Sequence, residues 1–180
     1  RADGIYVSDD AIYLTQLESD SSVGADTRTF VHSYALSESL TYLGSGVAAG
    51  SLYLSGNRDF RINQHEGYIR LVTTQYTNDS ADRVDHQLSM LELNPEALSR
   101  DLVATLPNNA YPQPIGKPNE ELYGVRFFGD KLYLVTFERI DPLYVLDLTD
   151  QTDPVIAGEL TVTGFSDFLH PVSDELLMGL

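Results

Sequence analysis

"ELYGVRFFGDKLYLVTFERIDPLYVLDLTDQTDPVIAGELTV" runs from Glu121 to Val162 and holds four short apolar runs separated by turn chemistry. "LYGVRFFG", "KLYLVTFE", "PLYVLDLT" and "VIAGELTV" alternate with a period of two and are rich in β-branched and aromatic residues, the pattern of half-buried strands. Gly129-Asp130 reads as the hairpin tip between the first two. Between the third and fourth lies "DLTDQTDP", where Asp and Thr side chains can bond nearby backbone amides and Pro154 fixes the entry to the next strand. The stretch therefore predicts one four-stranded antiparallel unit, inner strand first and outer strand last, as in a propeller blade.

The same layout recurs along the chain. "SDDAIYLTQ" (Ser8 to Gln16), "QHEGYIRLVTTQ" (Gln64 to Gln75), "FGDKLYLVTF" (Phe128 to Phe137) and "VSDELLMGL" (Val172 to Leu180) each place a turn before an alternating strand, which makes Ile12, Ile69, Leu132 and Leu176 equivalent. The step from Leu132 to Leu176 is of propeller-blade length, about 40 to 50 residues, and the two earlier steps are longer by polar insertions. "NPEALSRDL" offers one helical turn, with Asn94 as its cap and Pro95 at its first position. The expected fold is all-β: a partial β-propeller of about three four-stranded blades at roughly residues 5–60, 61–107 and 120–164, with the start of another at 165–180. A β-sandwich with irregular strands is the alternative, although a sandwich has no reason to repeat. The chain opens in "RADGIYVSDDAIYLTQ" and closes in "ELLMGL", both strand-like, so a segment of a longer chain is expected, with any targeting signal upstream.

Val125 to Asp130, Leu134 to Phe137, Asp141 to Leu143, Asp147 to Leu148, Gly158 to Leu160 and Gly164 to Pro171 together resemble a family of secreted bacterial and archaeal proteins. That family has a C-terminal β-propeller domain distantly related to WD-type repeats, and "INQHEGYIRLVTT" (Ile62 to Thr74) is similar to a second of its motifs. The resemblance covers about two thirds of the chain and is weak over the first 55 residues. It implies a propeller and an extracytoplasmic setting, and it carries over no catalytic residue.

Charge narrows the range of partners. Twenty-seven acids against eleven bases give a formal charge of −16, spread over both halves of the chain. Such a field repels phosphate, and no Lys/Arg run opposes it, so nucleic acid and anionic membrane are poor partners. A protein or glycan partner fits better, as does association through the open faces of terminal blades. No apolar run approaches the roughly 20 residues of a membrane span. Without cysteine there is neither a disulfide nor a thiolate zinc site.

Candidate sites are few. Asp147, Asp150 and Asp153 lack the spacing and central glycine of a calcium loop and read as turn residues. Asp79, Asp82 and Asp85 in "TNDSADRVD" could gather a structural cation such as calcium; no other cofactor is predicted. His65 at a hairpin tip and His86 at the opening of a strand read as exposed, and neither they nor His32 and His170 have a short-range metal partner. Asp167 and His170 in "FSDFLHP" enter the next blade and, with Asp141 and Arg126, are the candidates for ligand binding. No G-x-S-x-G elbow or phosphate loop is present, since "GSG" at Gly44 to Gly46 lacks its framing. The functional expectation is a non-catalytic interaction or scaffold module of an exported protein. A metal-assisted hydrolase using Arg126, Asp141, Asp167 and His170 is the alternative.

Overall fold

The computed structural model describes residues 1–20, 26–52, 60–77, 81–137, 141–162, 169–173 and 176–179. They form three antiparallel meanders and a hairpin. The first meander is β1 (Gly4–Val7), β2 (Ala11–Asp20), β3 (Asp26–Ala35) and β4 (Thr41–Ala49). The second is β5 (Ile62–His65), β6 (Tyr68–Tyr76), β7 (Val84–Asn94) and β8 (Ser99–Leu106). β9 (Glu121–Phe128), β10 (Lys131–Phe137), β11 (Asp141–Asp147) and β12 (Val155–Val162) make the third, and β13 (Leu169–Ser173) pairs with β14 (Leu176–Gly179). Ile12, Ile69, Leu132 and Leu176 all fall in the second strand of a hairpin, opposite Val7, Gln64, Phe127 and Ser173.

Turns form where the sequence provides for them. Asp147 Oδ1 accepts from the Thr149 amide and hydroxyl at 2.9 and 2.6 Å, and Asp150 Oδ1 accepts from those of Thr152 at 2.9 and 2.7 Å. These bonds hold both carboxyls below their ordinary range and confirm the aspartates as turn residues. At "NPEA", Asn94 Oδ1 accepts the Ala97 amide at 3.2 Å, and the helical stretch is only that turn.

The second meander is covered on both faces. β6 is buried from Ile69 to Thr74 without alternation. Ile69 and Leu71 join Leu91, Ala11, Tyr13 and Val31 in a core shared with the first meander. Val72, Leu88 and Met90 join Leu122, Leu132, Leu134 and Leu146 in a core shared with the third. Met90 and Leu91 are successive strand residues and so face opposite sides, while the register shift beside them places an extra residue, Val103, on β8. Two separate cores around one middle sheet make three layers, which is not the two-layer packing of a sandwich.

The first two meanders are halves of one eight-stranded sheet folded along a seam where β4 meets β8 in parallel at Ser45 and Ser99. Gly44 and Gly46 make that seam possible. A Cβ on Gly46 would overlap the Arg100 carbonyl oxygen, and one on Gly44 would lie 2.7 Å from the Leu98 carbonyl carbon. "GSG" is therefore a close-approach device.

Three buried arginines cross between meanders. Arg100 Nε donates to Ser33 Oγ at 3.2 Å, with its guanidinium 5.5 Å from the Tyr13 ring. Arg70 Nη1 donates to the Gly129 carbonyl at 2.8 Å, over the Phe127 ring at 4.8 Å. Arg61 Nη2 donates to the Leu122 carbonyl at 3.1 Å. Arginine suits this role because its forked donors reach carbonyls at fixed angles while its stem and plane pack against apolar and aromatic groups.

Among the described residues, the outer face of the first meander has no such cover. The register puts Ile5, Val7, Ile12, Leu14, Phe30, Tyr34, Tyr42 and Val47 on it, with Ile5 66% and Val7 53% exposed. The far face of the third meander is met in part by the β13–β14 hairpin through buried Leu169, which approaches Gly124.

Candidate functional site

Short turns such as β5–β6 and β9–β10 close one end of the meanders, and the 107–120 connection from β8 to β9 stands at the other. There the 107–120 loop lies over the ends of β6, β7 and β10. Asn108 starts it by accepting the Ala110 and Tyr111 amides at 2.8 and 2.9 Å. Asn119, at φ +65°, fastens it to the preceding loop: its amide donates to Asp82 Oδ1 at 3.1 Å, and its side chain accepts the Arg83 amide at 3.1 Å. Ile115 drops from it into the core.

Beneath this loop a buried polar chain runs through the molecule. Arg61 Nη1 donates to Thr74 Oγ1 at 3.0 Å, and Thr74 Oγ1 lies 2.9 Å from His86 Nδ1. His86 Nε2 lies 2.9 Å from the Glu120 carbonyl oxygen, which can only accept, so Nε2 carries the proton and Nδ1 accepts from Thr74. Glu120 Oε2 accepts the Thr136 hydroxyl at 2.6 Å and the Lys117 amide at 2.9 Å. Tyr76 donates to Glu121 Oε1 at 2.8 Å.

Burial shifts the charges. It lowers Arg61 to about 10 against the opposing pull of the Glu121 carboxylate, and it raises Tyr76 to about 12 together with its bond to Glu121. Burial, helped by the Arg61 charge, holds the His86 imidazole below its ordinary 6.5 even though the Glu120 carbonyl acts the other way. His86 is 3% exposed, which corrects the surface position expected from its place at the start of a strand. β7 is covered there by the 107–120 loop, whose approach local pattern does not encode.

A depressed base binds its proton more readily in the unfolded chain, so His86 adds stability that is complete above about pH 6.5 and is lost as pH falls toward the folded value. The urea midpoint is expected to fall from about pH 7 to about pH 5, and to fall less in His86→Gln. Equal slopes in the two proteins would remove His86 as the cause. The turn aspartates titrate lower and act outside this window.

Beside the chain opens a cavity of about 300 Å³ lined by Thr73, Gln75, Asp85, His86, Gln87 and Pro114, among others. Gln75, Asp85 and Gln87 bring polar groups to it from adjacent strands.

Among the described residues, those singled out from sequence are dispersed. Asp82 serves the loop through Asn119, Asp85 is exposed at the cavity, and Asp79 lies outside the described residues. Arg126 stands 4.6 Å over the Phe60 ring, and His170 is exposed on β13 opposite Met178. Asp141 opens β11 opposite Val162, and Asp167 lies outside the described residues. Arg126 aligns through Tyr133 with Val145, so Asp141 is four residues along and two strands across from it, roughly 16 Å away. The buried chain of Arg61, His86 and Glu120 was missed. An arginine or histidine in or beside an alternating run gives no local sign of burial, and the alternating reading of "YIRLVTT" gave none that β6 is covered on both faces.

A family profile described as a beta propeller domain matches residues 1–180, and the chain belongs to that family. An uncharacterized protein of Methanocaldococcus jannaschii is 31% identical over 136 residues, 76% of this chain and 19% of its own length. An uncharacterized protein of Archaeoglobus fulgidus is 32% identical over 121 residues, 67% of this chain and 17% of its own. The chain thus spans less than a fifth of the length of these relatives. No helix among the described residues is long and apolar enough to cross a membrane.

Proposed function

We propose that the chain is a propeller segment acting as a non-catalytic interaction module, in which each meander is one blade and the β13–β14 hairpin begins another. The observation that carries this reading is the state of the buried ionisable groups. Both His86 nitrogens, Glu120 Oε2 and two Arg61 nitrogens are engaged in hydrogen bonds that hold strands and loop together. A general base must instead have a free lone pair within reach of substrate. What remains open is a cavity with polar walls at the long-loop end, suited to a protein or glycan surface that neutral amides and one carboxylate can hydrogen-bond.

The extracytoplasmic setting and the kinship to WD-type repeats belong to the same proposal. They are supported by the resemblance carried by Val125 to Asp130 and Gly164 to Pro171. The uncovered face of the first meander packs, in this reading, against a further blade.

Titration with neutral oligosaccharides and basic peptides, run beside ester, peptide and glycoside hydrolysis assays with and without divalent metal, tests the reading. Saturable binding abolished by Gln87→Arg, with no turnover, is expected. Turnover that survives purification and tracks the protein would replace it with the hydrolase alternative.

A further inference from the structure

Two hairpin tips from neighbouring meanders meet at the short-turn end. The first has Glu66 and Gly67 at φ +49° and +87° between His65 and Tyr68, the geometry of a type I′ turn. The second has Gly129 at φ +52° followed by Asp130, between Phe128 and Lys131. One ring nitrogen of His65 and one carboxylate oxygen each from Glu66 and Asp130 all lie within 4.8 Å of one another. We propose that these three residues bind a divalent transition-metal ion of the zinc class and that the ion staples the second meander to the third.

The donor set selects the ion. Calcium and magnesium take all-oxygen shells, whereas imidazole nitrogen with carboxylate oxygens suits zinc and its first-row neighbours. Ligands on a tetrahedral zinc lie roughly 3.4 Å from one another. His65 Nε2 and Asp130 Oδ1 are already 3.2 Å apart, so the ion enters at this contact and only the longer separations must close. Glu66 and Asp130 are exposed and His65 is half-buried, so small side-chain rotations suffice.

The frame beneath the side chains is fixed. Arg70 is 1% exposed, donates from Nε to Asn63 Oδ1 at 3.0 Å, and also bonds Asn63 through Nη2. Because its Nη1 holds the Gly129 carbonyl at 2.8 Å, one side chain sets the spacing between the strand that ends at His65 and the turn that carries Asp130. The Leu148 amide fixes that turn from its other side by donating to the Asp130 carbonyl at 2.8 Å. Asp130 also lines a cavity of about 540 Å³ with Lys131, Asp147 and Thr149. The field of a chain with charge −16 draws cations toward it.

Calorimetric titration of the chain with ZnCl₂, together with Co²⁺ absorption spectra, tests the site. One ion per chain, tetrahedral Co²⁺ bands and a zinc-dependent rise in melting temperature are expected. His65→Ala, Glu66→Gln and Asp130→Asn should each weaken binding about tenfold or more, while His32→Ala should leave it unchanged. Metal-free melting and circular dichroism establish that each variant is folded. Equal zinc affinity in the wild type and a His65→Ala/Asp130→Asn double variant would overturn the proposal by assigning the ion to the diffuse acidic surface. Absence of saturable binding, or calcium competing on equal terms, would overturn it as well.

Discussion

Gly46→Ala is expected to destabilise the chain by about 3 kcal/mol, although it adds a single methyl group to a strand. The methyl carbon would overlap the Arg100 carbonyl oxygen and stand 2.7 Å from Arg100 Cβ, and the obstruction is largely backbone, which no rotamer change relieves. To accept it, β4 must move away from β8, opening the fold line between the first two meanders. That displacement would also loosen Arg100 from Ser33 and Tyr13. Gly158→Ala is the control, because a Cβ there meets nothing within 4 Å, and it should change stability by no more than about 0.5 kcal/mol. Urea unfolding of the two variants checks the contrast. Similar midpoints would mean that the seam is not a close-packed contact.

Arg61→Ala is expected to cost about 3 to 5 kcal/mol. Arg61 is fully buried, and its removal takes one donor from the Leu122 carbonyl and one from Thr74 and leaves a hole between the second and third meanders. Arg61→Met, which refills most of the volume with apolar atoms, should recover part of the loss but leave the Leu122 carbonyl without this donor. Arg28→Ala should be nearly neutral, since Arg28 lies 3.8 Å from Glu18 with both side chains more than half exposed. Thermal unfolding at one pH ranks the three. An Arg61 variant as stable as the Arg28 variant would remove the arginine from the packing account.

These two positions also show where reading the sequence reaches its limit. Strands were legible because period-two alternation and turn residues are local: the four runs of Glu121 to Val162 became β9 to β12 in order, and Asp147 and Asp150 bond the threonines two residues on. The hairpin equivalence of Ile12, Ile69 and Leu132 was legible for the same reason. Burial created by a distant segment was not. His86 opens an alternating strand and would be exposed if the 107–120 loop did not cross it, and Arg61, Arg70 and Arg100 look like surface residues until a second meander supplies carbonyls and rings. The meeting of His65 and Glu66 with Asp130, some 65 residues away, depends on how two meanders pack, which no short pattern records.

The central claim is that the meanders are blades of a propeller, each face built to lie against a neighbour. The outer face of the first meander offers the most direct test. It carries Ile5, Val7, Tyr34, Tyr42 and Val47, with Tyr42 40% and Val47 39% exposed and the Tyr34 and Tyr42 rings 5.5 Å apart. Sedimentation equilibrium of the 180-residue chain should show concentration-dependent association through this face, abolished by Val7→Glu with Tyr42→Glu while the fold is retained. A folded wild-type chain that stays monomeric at every concentration would contradict the claim.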